Sequence, residues 1–257
     1  MSSMTIDYCF CTLALGKKYR ILTQQLATDL AKYCPKAFIY VYTDNVNDFR
    51  SYNNVLAFKH RQQGTLLCYN DKRLVLAKAL SKFRAAICID ADTRITADIP
   101  DDLHWEPGIT VGHCKNLVEH AQKYNPERLE SLQKLASKLD LPLEKVNYVG
   151  ESLFVITRDN GKEIEFFNYW GKVGRFLEFQ GIHGGEGNAM GLAAAKVGWV
   201  VHCSGWETVK QATHHIDASY ISTPSSSWDT WKLRLTYHSR LNFARLKALN
   251  DFEFFYR

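Results

Sequence analysis

The chain has 257 residues, 46% hydrophobic and 23% charged, which is enough apolar material for one sizeable core and unlike a disordered or fibrous composition. Its 32 basic against 27 acidic residues leave a net charge of +5, which suits small anionic ligands such as phosphates and excludes the basic excess of a nucleic-acid-binding protein. No apolar run approaches the roughly 18 residues of a membrane span, no basic-then-apolar leader precedes Ile6, and the seven cysteines are an odd set without a CxxC pair. A soluble, cytoplasmic protein with reduced thiols is therefore expected.

The first strand is expected over Ile6 to Leu13, followed by a helix in which Leu22, Leu26, Leu30 and Tyr33 recur at helical spacing until Pro35 ends it. Ala37 to Thr43 is an apolar, β-branched run closing on Thr43-Asp44-Asn45, so strand, helix and strand form a parallel βαβ unit. A weaker strand near Val55 to Lys59 leads to a helix over Asp71 to Arg84, buried through Val75, Leu76, Leu80 and Phe83, and then to a strong strand, Ala85 to Ile89. Beyond Asp90-Ala91-Asp92 the alternation loosens, with short strands marked by Ile95, Ile99, Ile109 and Val111 around the turn-rich Trp105-Glu106-Pro107-Gly108. Asn125-Pro126 starts a helix striped with Leu129, Leu132, Leu135 and Leu139, an insertion that could support a lid. Val149 to Thr157 resumes as strand, Lys162 to Trp170 and Glu186 to Val197 as helices, and Gly198 to His202 as a last strand, while the aromatic, basic tail from Ser222 resists assignment. No linker or repeat divides the chain, so the expected class is a single α/β domain with a mixed, mostly parallel sheet flanked by helices.

Two acidic residues at spacing two, where a buried strand runs out, repel one another unless a cation sits between them. Open α/β sheets take ligands at the carboxyl ends of their strands, which is where Asp90 and Asp92 fall. Mg²⁺ or Mn²⁺ held by such carboxylates completes its coordination with water and substrate phosphates. The competing reading is a turn in which Asp90 and Asp92 merely pair with Arg94 or Lys82.

The string from Lys82 to Asp92, preceded by Tyr40-Val41-Tyr42-Thr43-Asp44, resembles the GT-A glycosyltransferases, in which an apolar strand closes on a DxD motif. The resemblance covers about residues 5 to 205. Within that fold, Tyr40 to Asp44, the polar helix start Asp71-Lys72-Arg73 and the later segment from Gly150-Glu151-Ser152 to Gly198-Trp199 look most like the retaining α-1,3-galactosyl and N-acetylgalactosaminyl transferases of the blood-group type. The resemblance implies a nucleotide-binding half to about residue 92, an acceptor-binding half to about 205 and a C-terminal extension over 206 to 257.

It further implies a nucleoside-diphosphate sugar, by expectation a UDP-sugar, as donor and a saccharide or glycoconjugate as acceptor, with Mn²⁺ or Mg²⁺ on Asp90 and Asp92. Phe10, Cys11 and Thr12 would meet the donor's base and ribose, Ala91 would lie against the donor within the motif, and Arg73 would reach its sugar. Glu151, Ser152 and His183 would face the acceptor. In His183-Gly184-Gly185-Glu186 the glycines permit close approach of a ligand, and by resemblance Glu186 faces the anomeric carbon. The motif's Asp is missing, and an extra Gly separates His183 from Glu186. After the last strand, His214 is the candidate third metal ligand beside His215 and Lys210. The alternative enzyme is a sugar-phosphate nucleotidyltransferase, against which Ala14-Leu15-Gly16-Lys17-Lys18 lacks a glycine-rich phosphate loop. A non-catalytic nucleotide-sugar binder is the alternative outside enzymes. Phe243 to Arg257, mixing Phe, Tyr, Lys and Arg, fits either core covering or a peripheral contact with the cytoplasmic face of a membrane.

Overall fold

Parallel strands buried on both faces need apolar side chains in both phases of the pleat, and the first strand, β1 (Tyr8–Ala14), has them. Its Tyr8, Phe10 and Ala14 enter one hydrophobic cluster, while Cys9 and Cys11 enter the other. The structure is a computed structural model that describes residues 6–218 and 227–257. In chain order β1 is followed by α1 (Lys17–Tyr33), β2 (Ile39–Thr43), β3 (Val55–Lys59), α2 (Lys72–Leu80), β4 (Ala85–Ile89), β5 (Thr93–Ile95), β6 (Gly108–Val111) and β7 (Cys114–Asn116). Next come α3 (Leu117–Tyr124), α4 (Leu129–Leu139), β8 (Asn147–Val149), β9 (Leu153–Thr157), α5 (Lys162–Phe179) and α6 (Glu186–Lys196). The chain closes with β10 (Val201–His202), α7 (Glu207–Ala212), β11 (Thr213–His215), α8 (Ser227–Ala248) and α9 (Phe252–Tyr256).

The principal sheet has seven strands in the order β10-β6-β9-β4-β1-β2-β3. Pairings among β4, β1, β2 and β3, and between β10 and β6, are parallel; β9 runs antiparallel to both β4 and β6. The expected α/β domain with a mixed, mostly parallel sheet flanked by helices is therefore present. One face of the sheet packs on α2, α4, α5 and α6 through residues such as Leu76, Leu135, Trp170 and Met190, and the other on α1 and the Trp105 and Trp206 side chains.

Several elements differ from their sequence outline. The expected strand from Val149 to Thr157 is two, β8 and β9, interrupted at Gly150-Glu151-Ser152, where Gly150 N donates to His113 O at 2.8 Å. Ile99 belongs to no strand; it is buried, with its amide donating to Tyr33 O at 3.0 Å. The helix from Lys162 runs on to Phe179, because Val173, Phe176 and Leu177 continue its buried stripe. The unassigned tail contains α8, with residues 219–226, and so Ser222 itself, outside the described part. Cys114 and Cys203, expected to be thiols, are joined in a disulfide that ties β7 to the segment after β10; their Cα atoms are 6.3 Å apart. No helix among the described residues is long and apolar enough to cross a membrane.

Candidate active site at the carboxyl ends of two parallel strands

A cavity of about 600 Å³ opens at the carboxyl ends of β1 and β4, where Thr12, Leu13, Tyr19, Cys68, Tyr69, Lys72, Asp90, Ala91, Asp92, Glu151, Ser152, Glu186 and His215 line it. Asp90 follows β4 directly, and its amide donates to Ser152 O at 3.2 Å. A turn closed by Thr93 N on Asp90 O brings the chain into β5. There β11 pairs antiparallel, with His215 opposite Thr93 and His214 opposite Arg94. Adjacent residues of a strand point to opposite faces, so only one of the two histidines can turn toward the aspartates. It is His215: its Nδ1 is 3.6 Å from Asp92 Oδ1, and one ligand atom each from Asp90, Asp92 and His215 lie within 4.8 Å of one another. His214 is exposed and stands outside this group.

Asp92 is fixed from behind, its Oδ2 accepting from Ala218 N at 2.8 Å and its carbonyl from Ile216 N at 2.9 Å. Arg94, the expected partner for a merely structural turn, pairs instead with Asp29 at 2.5 and 2.8 Å. The cation on Asp90 is Lys72, not Lys82. Its Nζ lies 2.7 Å from Asp90 Oδ1, 2.8 Å from Glu186 Oε1 and 3.1 Å from the Glu151 carbonyl. Burial alone would lower this ammonium's pKa, but the charges of Asp90 and Glu186 outweigh it and hold it well above the ordinary lysine range. Asp90 is raised by burial, with Lys72 offsetting only part, whereas for Glu186 burial is outweighed by the charge of Lys72 together with hydrogen bonds from Glu151, Lys72 and the backbone, which keep the carboxylate below its usual range.

Glu151 occupies the opposite condition. Burial and then the charge of Glu186 push its pKa well above the ordinary carboxylate range, and Tyr148 donates to its Oε1 at 2.9 Å. As a carboxylate it would repel Glu186; carrying a proton, it donates to it. No fixed donor among the described residues reaches Glu186 Oε2 or Thr12 Oγ1, both buried at the cavity. Cys68, also at the wall, has its thiol pushed up to about 11, chiefly by burial, and so stays protonated at neutral pH.

Asp71-Lys72-Arg73 divides by helical phase. Successive residues are about 100° apart around a helix, so the three cannot share a direction. Asp71 accepts from His60 Nε2 at 2.9 Å, Gln63 N at 2.7 Å and Gly64 N at 3.1 Å, which holds the loop that forms the Gln62 to Tyr69 wall. Lys72 enters the cavity. Arg73 lines a separate depression with Arg158 and Glu163 and lies against Gly171, so the expected contact with the donor sugar falls to no arginine of this helix.

Of the strand-one residues, Phe10 and Cys11 are fully buried in the two cores and only Thr12 reaches the cavity, joined by Leu13, Leu15 and Tyr19. Glu151, Ser152 and Ala91 also line it. His183 does not: its Nδ1 is 3.2 Å from Thr65 Oγ1 and its ring meets Tyr237 edge-on, so it braces the Thr65 loop against α8. Tyr148 and Lys72 escaped the sequence reading as site residues, and of the pair His214-His215 it was His214 that was put forward as the ligand. The polar start of α2 was the only signal for Lys72, while Tyr148 and His215 depend on strand phases that periodicity does not reveal in three-residue strands. No known family model matches the chain, and no curated protein matches it significantly.

Proposed function

We propose that this chain is a GT-A glycosyltransferase that moves a sugar from a nucleoside-diphosphate sugar, most simply a UDP-sugar, to a hydroxyl of a saccharide or glycoconjugate, with retention of configuration. One observation carries the reading. At the carboxyl ends of parallel strands, the Asp90, Asp92 and His215 ligand atoms share a cavity with Glu186 and with an ammonium, Lys72, that touches both Asp90 and Glu186. Two carboxylates and an imidazole within 4.8 Å form a donor set suited to Mn²⁺ and tolerable for Mg²⁺. Such an ion, when bound, offsets charge developing on a departing diphosphate.

The chain's own groups supply the rest. The bond between the anomeric carbon and the diphosphate oxygen breaks with its electron pair leaving on the nucleoside diphosphate, and the acceptor oxygen forms the new bond on the vacated face as its proton passes to the departing diphosphate oxygen. Lys72 keeps Glu186 ionised and oriented, and Glu186 faces positive charge developing at the anomeric carbon. Burial and the charge of Glu186 push the Glu151 carboxyl well above the ordinary carboxylate range, so of the two it is Glu151 that more readily holds a proton and Glu186 that keeps the charge. The nucleotidyltransferase alternative would need amides of the β1 to α1 loop free for phosphate; Gly16 N instead donates to the Asp44 carboxylate at 3.2 Å.

The test is release of nucleoside diphosphate from a panel of UDP-, GDP- and CMP-sugars with Mn²⁺, with CMP-sugars scored as nucleoside monophosphate, alongside Asp92→Asn. Metal-dependent release for one donor, lost in Asp92→Asn at an unchanged unfolding temperature, is the expected result. No release from any donor, with no donor raising the unfolding temperature, overturns the reading; binding without release, with and without acceptor sugars, leaves a non-catalytic binder.

A further inference from the structure

Helix α8 has two apolar faces, and the fold uses one. Leu241, Ala244 and Ala248 are buried against the body, and Tyr237 on the same side meets His183, the residue before the glycine turn that leads to Glu186. On the far side Trp228, Trp231, Leu235 and Leu246 fall within an arc of about 60° on a wheel of 100° per residue. They are exposed, Trp228 to 60% and Leu246 to 66%; Trp228, Trp231 and Leu235 form a run of about 10 Å, and Leu246 follows further along the same face beyond Ser239 and Asn242. Single exposed leucines are ordinary, but two stacked, exposed tryptophans followed on one face by Leu235 form an apolar patch of the kind that docks against a partner surface.

The flanks indicate what it covers. Arg234 and Arg245 lie along one edge of the row, Lys232 and Lys247 along the other, and all four are exposed. Two copies of this chain pressed row to row would bring cations against cations, which opposes a helical dimer. A bilayer rich in anionic headgroups accommodates the same pattern: apolar side chains enter the boundary between headgroup and acyl chain, tryptophans sit at its interface, and the lysine and arginine heads reach the phosphates. Over residues 227–248 the sequence holds five Lys and Arg against one carboxylate, Asp229.

We propose that the outer face of α8 is a docking surface for an anionic lipid bilayer. This inference stands apart from the sugar-transfer reading, since it concerns adsorption and not turnover. The full chain is mixed with vesicles of phosphatidylcholine alone or with about one third phosphatidylglycerol, and binding is measured by flotation and by tryptophan emission. Trp105, Trp170, Trp199 and Trp206 are buried, so Trp228 and Trp231 dominate any blue shift. Expected are binding to the anionic vesicles at least about tenfold stronger than to the neutral ones, and a comparable loss in Trp231→Ser/Leu235→Ser/Leu246→Ser and in Lys232→Gln/Arg234→Gln/Arg245→Gln/Lys247→Gln. Both variants should keep the parent's unfolding temperature, because they alter exposed side chains. The proposal is overturned by absent or equal binding to the two vesicle types, by unchanged binding of a folded variant, or by a concentration-dependent dimer in sedimentation that the serine variant abolishes.

Discussion

Lys72 is the residue on which the site's electrostatics turn. It is buried between two carboxylates, and a group in that position stabilises less by attraction than its removal destabilises, since removal leaves like charges buried without a counter-ion. Lys72→Met is expected to cost about 3 kcal/mol in denaturant unfolding without metal. Mn²⁺ should restore part of that loss, because it replaces the missing positive charge; a variant as stable as the parent would show that Asp90 and Glu186 are not both ionised. Glu151 makes a pH prediction whose sign is definite. Its folded-state pKa stands above the unfolded value, so its contribution is complete below the ordinary carboxylate range and is lost as pH rises through the raised value. Glu186, held below its usual range, contributes with the opposite sign, its share being lost as pH falls, and it is common to parent and variant. In metal-free buffer, Glu151→Gln should therefore gain on the parent in unfolding temperature as pH climbs from acid toward alkaline. A constant difference would refute the neutral acid.

At the scale of elements, α6 has to lie close against β8 for Glu186 to reach Lys72. Gly187 and Gly191 make this possible: a Cβ on Gly187 would overlap the Val149 carbonyl and the Tyr148 ring, and one on Gly191 the Asn147 carbonyl. A backbone carbonyl cannot rotate aside as a side-chain tip can, so α6 itself would have to move. Gly191→Ala is expected to destabilise by about 2 kcal/mol and to weaken metal-dependent donor binding, whereas Gly184→Ala, whose nearest neighbours are 4.0 Å away, should change stability little. Equal unfolding midpoints for the two variants would sink this account of the helix. The same packing explains how far the site could be read along the chain. Asp90 and Asp92 follow a five-residue apolar strand and are visible from pattern alone, and the glycine-rich approach to Glu186 is visible as composition. The choice between Lys72 and Arg73, or between His214 and His215, depends on a rotation of one residue, which propensity does not specify.

For the whole molecule, the disulfide between Cys114 and Cys203 bridges 89 positions and ties the paired strands β7 and β8 to the segment after β10, at the edge of the principal sheet. A closed loop of that length removes chain entropy from the unfolded state. Reduction, or Cys114→Ala, is expected to lower unfolding free energy by about 2–4 kcal/mol, measured in denaturant with and without reductant. No difference between the two conditions would mean that the bond does not form in the folded protein. The odd cysteine count concealed this pair, since five of the seven remain as free thiols, four of them buried in the cores as small apolar groups.

The order of buried strands and amphipathic helices, the α/β class and the acidic end of β4 were determined by the sequence itself, because each rests on a local period of two or 3.6 residues and on apolar burial that such a period implies. Only the tertiary structure decided that β9 enters the sheet antiparallel, that Cys114 meets Cys203, and that Lys72, Glu151, Glu186 and His215 join Asp90 and Asp92 at one cavity. These depend on contacts between residues distant in the chain, such as Lys72 and Glu186, 114 positions apart, whose geometry is set by sheet order and helix rotation and leaves no periodic trace in the chain.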